Sequence, residues 1–150
     1  MTATNHALTG ALIAVAVKKP ELAIPLAFIS HFLIDVIPHF EARDLPTKFS
    51  KAFIYSDAVL SAALAVVFAF LFNAKVPAWL IFACSAAAVS PDLMWAYRYL
   101  RIKDLDKTFE EPMSWLARFH LKIQLSETLL GIMVEAAWFI AMLVLLVKIS

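Results

Sequence analysis

Charge, glycine and cysteine are all scarce in this chain. Charged residues fill only 17% of its 150 positions, against about 25% in a soluble domain. Apolar residues fill 63% and mean hydropathy is +0.81, so too little polar surface remains to cover a water-soluble core. The deficit is that of a protein whose solvent is lipid. A net charge of +1 with no basic stripe gives no footprint for nucleic acid. The single cysteine, Cys84, excludes an intramolecular disulfide and a cysteine-based zinc site. Lying in an Ala-rich apolar stretch, it reads as helix-packing filler. The opening "MTATNHALTG" has no basic n-region and "AVAVKKPEL" offers no cleavage context, so the first hydrophobic stretch is expected to persist rather than be cleaved.

What is abundant is long apolar sequence. A bilayer-spanning helix needs about 20 mainly apolar residues, with about 17 the lower limit. Four stretches approach or meet this: Leu22–Pro38, Phe53–Phe72, Val76–Tyr97 and Ile123–Val147. A fifth, Ala3–Val17, is short. The expected fold is therefore all-α, an integral membrane helical bundle of about five transmembrane segments, with 1–150 a single multi-pass domain. "VKKPEL" and "FNAKVP" separate neighbouring spans, and the polar piece "RYLRIKDLDKTFEEPMSW" is expected to hold short interfacial helices. If all five segments cross, one side collects Arg43, Lys48, Lys51, Arg98, Arg101, Lys103, Lys107, Arg118 and Lys122. The other holds Lys18, Lys19, Lys75 and Lys148. The positive-inside rule places the N-terminus and both long loops in the cytoplasm of a cell (inner) membrane protein.

The polar residues inside these spans are not scattered. His6 opens the first segment; His31, Asp35 and His39 end the second, in "SHFLIDVIPHF". Asp57 is early in the third, Asp92 closes the fourth, and His120, Glu127 and Glu135 cluster about the start of the fifth. All fall toward one membrane face. His31, Asp35 and His39 recur every four residues and so share a helix face. Only two glycines occur, Gly10 and Gly131, each one turn from an ionisable residue (His6, Glu127 and Glu135). Small residues let membrane helices approach closely, so both positions predict tight crossings.

An ionisable group inside a span costs about 2.5–3.5 kcal/mol on insertion scales. A cation, mutual hydrogen bonds or a water-filled cavity must offset that cost here. Imidazole nitrogen with carboxylate oxygen is the donor set of hydrolytic zinc, manganese and iron sites. The candidate ligands of a divalent metal, zinc first and manganese or iron next, are His6, His31, Asp35, His39, Asp92 and His120. Glu135 and Asp57 are candidates for ligand or general base. Arg98, Arg101 and Arg118 could meet a lipid phosphate. Rival readings stand beside each. His120 could be a hydrogen-bonded packing residue and His39 an interfacial one. Asp57 and Asp92 resemble helix caps, and Glu127 a first-turn carboxylate. Trp79, Trp95, Trp115 and Trp138, with Tyr97 and Tyr99, read as interfacial belts.

"NHALTG", "SHFLIDVIPHF" and "SPDLMW" together resemble small prokaryotic inner-membrane proteins of the YdjM-like group, described as membrane-bound metal-dependent hydrolases. His6 with Gly10 resembles the group's His-x-x-x-Gly opening, His31, Asp35 and His39 its Pro/Asp/His cluster, and Pro91-Asp92 its proline–aspartate element. The chain departs from that pattern after the cluster, where "KFSKAFIYSDAVL" replaces an arginine and a Thr-His-Ser motif. The resemblance implies a metal-dependent hydrolase.

The leading expectation is thus hydrolysis of a lipid or lipid-linked ester or phosphoester at the cytoplasmic leaflet. Membrane lipid is the expected partner, a homo-oligomer is compatible with the sequence, and nucleic acid is not expected. The alternatives are a small transporter or ion- or proton-conducting protein, and a non-enzymatic structural or partner-binding subunit. The far halves of the second, third and fifth spans are apolar, which disfavours a path through one chain.

Overall fold

The structure, a computed structural model, describes residues 1–40, 47–95, 114–124, 128 and 130–149. Every regular element among them is helical: α1 (Ala3–Val17), α2 (Pro20–Asp35), α3 (Thr47–Leu71), α4 (Ala78–Val89), a 3-10 turn (Ser90–Asp92), α5 (Trp115–Ile123) and α6 (Gly131–Ile149). Three helical stretches, Phe49–Leu71, Ala78–Trp95 and Gly131–Ile149, are long and apolar enough to cross a membrane. The sequence suggests five such segments; length and composition support three. α3 and α6 turn large apolar side chains outward, among them Val59, Phe70, Ile140 and Val147, as helices facing lipid do.

The short first segment is the hub of the bundle. α1 packs against α2, α3, α4 and α6, and ten of its 15 residues are buried. At about 1.5 Å rise per residue it is about 22 Å long. A helix enclosed by protein does not need the length that a lipid-exposed one needs. Small side chains make the enclosure tight: Ala11, Ala14, Ala23, Ala27 and Ala88 lie in the core with Leu80 and Ile81. Gly10 is the closest point. A Cβ there would overlap the carbonyl of Cys84, and one turn earlier the Ala7 carbonyl accepts Ser85 Oγ at 3.0 Å. Cys84 is buried and unpaired in disulfide terms, as packing filler should be.

Local chemistry sets the element ends. Thr2 caps α1 with its side chain, and Lys18 ends it in the left-handed region (φ 62°) while its N–H reaches the Ala14 carbonyl. Lys19 is extended, as the residue before a proline must be, and Pro20 starts α2 where its missing N–H costs nothing. Pro91 breaks α4. It has no N–H for the Ala87 carbonyl, which takes the Ser90 hydroxyl at 2.9 Å instead. The helical ladder tightens there into the 3-10 turn. The fourth apolar stretch therefore ends in a turn that carries Asp92.

The turn containing Lys18 and Lys19 lies at one end of the bundle. Lys75 lies at that end too, donating to the Ile149 carbonyl at 3.2 Å. The start of α1, the end of α2, the Ser90–Asp92 turn and the start of α6 meet at the other end.

A buried histidine and carboxylate site

Asp35, on the last turn of α2, is the centre of that second end. It is 1% exposed and touches four nitrogen groups. The Met1 ammonium lies 2.7 Å from Oδ1, and His6 Nε2 lies 3.1 Å from the same oxygen. Oδ2 lies 2.8 Å from His120 Nε2 and 3.1 Å from His31 Nε2. Asp92 completes the group from the 3-10 turn, with Oδ1 3.6 Å from His31 Nε2 and 3.8 Å from His120 Nε2. The three imidazoles are fully buried, whereas the Asp92 side chain is 29% exposed. Asp92 forms the open side.

Helix geometry explains who arrives. His31 and Asp35 are one turn apart on α2 and project together. His6 lies on α1 one turn before Gly10, so the close α1–α4 crossing delivers it to the same place. Its ring stacks on that of His31 with centroids 3.9 Å apart. The interrupted ladder beside Pro91 leaves the Ala88 carbonyl to accept His31 Nδ1–H at 2.8 Å. The proton of neutral His31 is thereby on Nδ1, and its Nε2 presents a bare lone pair to Asp35. His120 comes from amphipathic α5, whose buried positions are Ala117 and His120.

This donor set fits a metal ion. His6, His31 and Asp35 form one group able to hold a cation, and His31, Asp92 and His120 form another, each with ligand atoms within 4.8 Å of one another. A lone pair facing a carboxylate at 3.1 Å is repulsive unless a proton or cation stands between them. Neither nitrogen of buried His6 has a hydrogen-bond partner, because the Asp35 contact lies off the ring N–H direction. An unsatisfied buried polar atom costs about 1–3 kcal/mol, which a cation at Nε2 would relieve.

The remaining candidates fall elsewhere. Asp57 and Glu135 bind the start of α1. Asp57 accepts Ala3 N–H at 2.7 Å and Thr4 N–H at 3.1 Å. Glu135 accepts Thr2 N–H at 3.0 Å, the Thr2 hydroxyl at 2.8 Å and the Asn5 amide. Two carboxylates thus satisfy the orphan amides and the positive end of α1, and neither belongs to the two metal-capable groups. His39 also stands apart from those groups. Its Nδ1–H donates to the Ile37 carbonyl at 2.8 Å, and its Nε2 is buried without a partner. Burial pushes its pKa down. Gly131 packs directly on the His39 backbone, leaving no room for a Cβ. Arg118 is exposed on α5. Arg98, Arg101, Glu127, Tyr97 and Tyr99 lie outside the described residues.

Sequence reasoning missed Trp95. Assigned there to an interfacial belt, it is 7% exposed and donates its indole N–H to His120 Nδ1 at 2.7 Å. The available signal is its spacing, three residues after Asp92 and so on the same helical face. Trp138 is half-buried and donates to Thr9 Oγ1 at 3.1 Å. Trp79 and Trp115 are exposed. Asn5 is a second omission, buried and bound to both the carboxylate and the carbonyl of Glu135. Between α1, α3 and α6 a cavity of ≈ 330 Å³ opens, walled by Phe53, Leu60 and Phe139 with Asn5, Asp57 and Glu135.

No protein-family model, curated protein or solved structure matches the chain.

Proposed function

We propose that the protein is a multi-pass inner-membrane, metal-dependent hydrolase acting on a lipid or lipid-linked ester or phosphoester at the cytoplasmic leaflet. The observation that carries this reading is the fully buried trio His6, His31 and Asp35, whose ligand atoms lie within 4.8 Å of one another while neither His6 nitrogen is hydrogen-bonded. Tetrahedral ligands at about 2.0–2.1 Å from zinc stand about 3.3 Å from one another. The 3.1 Å edge from His6 Nε2 to Asp35 Oδ1 is near that spacing, and His31 Nε2 faces the other oxygen, Oδ2, at 3.1 Å. Zinc is the favoured ion, with manganese or iron accepted by the same donors.

Bound metal would supply Lewis acidity and a water whose pKa falls toward about 7. The chain supplies the rest. His6 Nε2, His31 Nε2 and the Asp35 carboxylate would hold the ion. Asp92, the partly exposed member of the group, would serve there as proton acceptor. The lipid class is supported by the site's place at the end of a bundle with apolar outer faces. The cavity between α1, α3 and α6 has aromatic and leucine walls that suit an acyl chain. Arg118, exposed on the helix that carries His120, is a candidate for a headgroup phosphate. In this reading α1 and α2 cross with the three longer spans, and the basic loops and the site face the cytoplasm. The motif resemblance to YdjM-like hydrolases points the same way. A transport reading has less support, because the described core beyond Gly10 is apolar, with Ala14, Val15, Leu80 and Ile81 filling it.

The test is metal analysis of detergent-purified protein, followed by hydrolysis of short-chain phospholipids in mixed micelles with Zn²⁺ or Mn²⁺. The expected result is about one ion per chain, lost in His31→Asn, with turnover abolished by a chelator. Near-zero metal that added ions do not restore would overturn the proposal.

A further inference from the structure

We infer that His120 is not a ligand but a positioning residue, an Nε2–H donor that holds Asp35 in place, with Trp95 fixing which ring nitrogen carries the proton. The inference rests on reading His6, His31 and Asp35 as the metal-holding trio.

An indole N–H can only donate. Trp95 aims it at His120 Nδ1 across 2.7 Å, so that nitrogen must present its lone pair. The proton of neutral His120 is then on Nε2. Two acceptors meet it there: Asp35 Oδ2 at 2.8 Å and the bare Nε2 of His31 at 2.9 Å. These are hydrogen-bond lengths. They are shorter than the 3.1 Å edges between Asp35 and the other two imidazoles. For His120 Nε2 to ligate an ion, its proton would have to move to Nδ1. Two N–H groups would then face each other across 2.7 Å. Trp95, His120 and Asp35 are all buried, so water cannot relieve that clash.

The rings leave little freedom to escape. The Trp95 ring lies 5.9 Å from that of His120 in a stacked arrangement, and Phe32 meets His120 edge-on at 6.0 Å. His31 is the opposite case, since a carbonyl takes its Nδ1–H and leaves Nε2 bare. The two imidazoles on Asp35 Oδ2 are therefore fixed as opposite tautomers. One is set to ligate and the other to donate to the ligating carboxylate. Residues that orient a ligand in this way typically change metal affinity by about 10–100-fold when removed.

The experiment uses the full chain in detergent with ¹⁵N-labelled histidine, wild type and Trp95→Phe, together with Zn²⁺ titrations of His120→Gln, His120→Ala and His31→Gln. In wild type, His120 should show a protonated Nε2 and a bare Nδ1, and adding Zn²⁺ should leave that Nε2–H in place while His31 Nε2 shifts. Trp95→Phe should release the single tautomer. His120→Gln retains an N–H donor without a ligand nitrogen, so it should keep Zn²⁺ affinity. His120→Ala should lose about 10–100-fold, and His31→Gln should lose binding. Loss of the His120 Nε2–H on Zn²⁺ addition, or His120→Gln failing as His31→Gln does, would overturn the inference. If no variant binds Zn²⁺, the metal reading fails, yet the His120 tautomer in the metal-free protein still decides the inference. A proton on Nδ1 there would sink it.

Discussion

Gly10→Ala is the substitution that most directly tests how the site is assembled. An added Cβ would lie 2.8 Å from the Cys84 carbonyl carbon and 2.9 Å from Ser85 Cα, where 3.4–4 Å is ordinary contact. All of these are backbone atoms of α4, so no rotamer change relieves the overlap. α1 must back away by at least about 0.7 Å to restore carbon–carbon separations near 3.5 Å. Overpacking of this kind costs about 1–3 kcal/mol, offset by about 1 kcal/mol from the better helix propensity of alanine. The net loss is about 0–2 kcal/mol, or a fall in Tm of up to roughly 8 °C for a chain of this size. The displacement also reaches His6, one turn away on the same face and stacked on His31 at 3.9 Å. Binding geometries tolerate only about 0.5 Å, so Zn²⁺ affinity should fall more than stability alone explains. Thermal unfolding in detergent followed by circular dichroism, with a Zn²⁺ titration of the folded protein, measures both. A variant as stable as wild type with unchanged affinity would refute the claim that the Gly10–Cys84 crossing places His6.

Three other outcomes follow from the geometry. Asp92→Asn should retain bound metal while losing hydrolysis, since Asp92 stands at the open side; loss of metal would make it a ligand. Asp57→Ala strips the acceptor from the Ala3 and Thr4 amides and should cost about 1–3 kcal/mol, seen in thermal unfolding, with metal content unchanged. His39, whose pKa burial lowers, is held neutral in the fold, so protons bind the unfolded chain preferentially. Its stabilising contribution is complete above about pH 6.5 and falls as pH drops through that value toward the lowered folded pKa. Wild type should therefore lose more stability between pH 7.5 and pH 5.5 than His39→Leu, in parallel melts; equal losses would count against a neutral His39.

Much of this architecture is legible in one dimension. Thr2 and the "KKP" turn delimit α1 at Ala3–Val17 as the apolar pattern suggests, and "SPD" announces the break after α4. The four-residue spacing of His31 and Asp35 is local and reads directly. What did not read is who meets whom across helices. Asp57 and Glu135 carry the same chemistry as Asp35, yet they serve α1's amides, because α1 is central and its first turn points between α3 and α6. Trp95 resembles any interfacial tryptophan until α5 brings His120 to it. The shortness of α1 suggested a marginal span, when enclosure by four neighbours makes length a secondary matter.

The bond between Asn5 and Glu135 joins positions 130 residues apart. At about 5–20 residues per second of synthesis, the start of α1 waits roughly 6–26 s for its acceptor. During that interval a buried asparagine and the amides of a helix terminus stand without their native partners. The hub helix is made first and closed last. Anything that sheltered those groups in the meantime, whether interfacial water, lipid headgroups or the insertion machinery, would govern the yield of folded protein without leaving a trace in its final contacts.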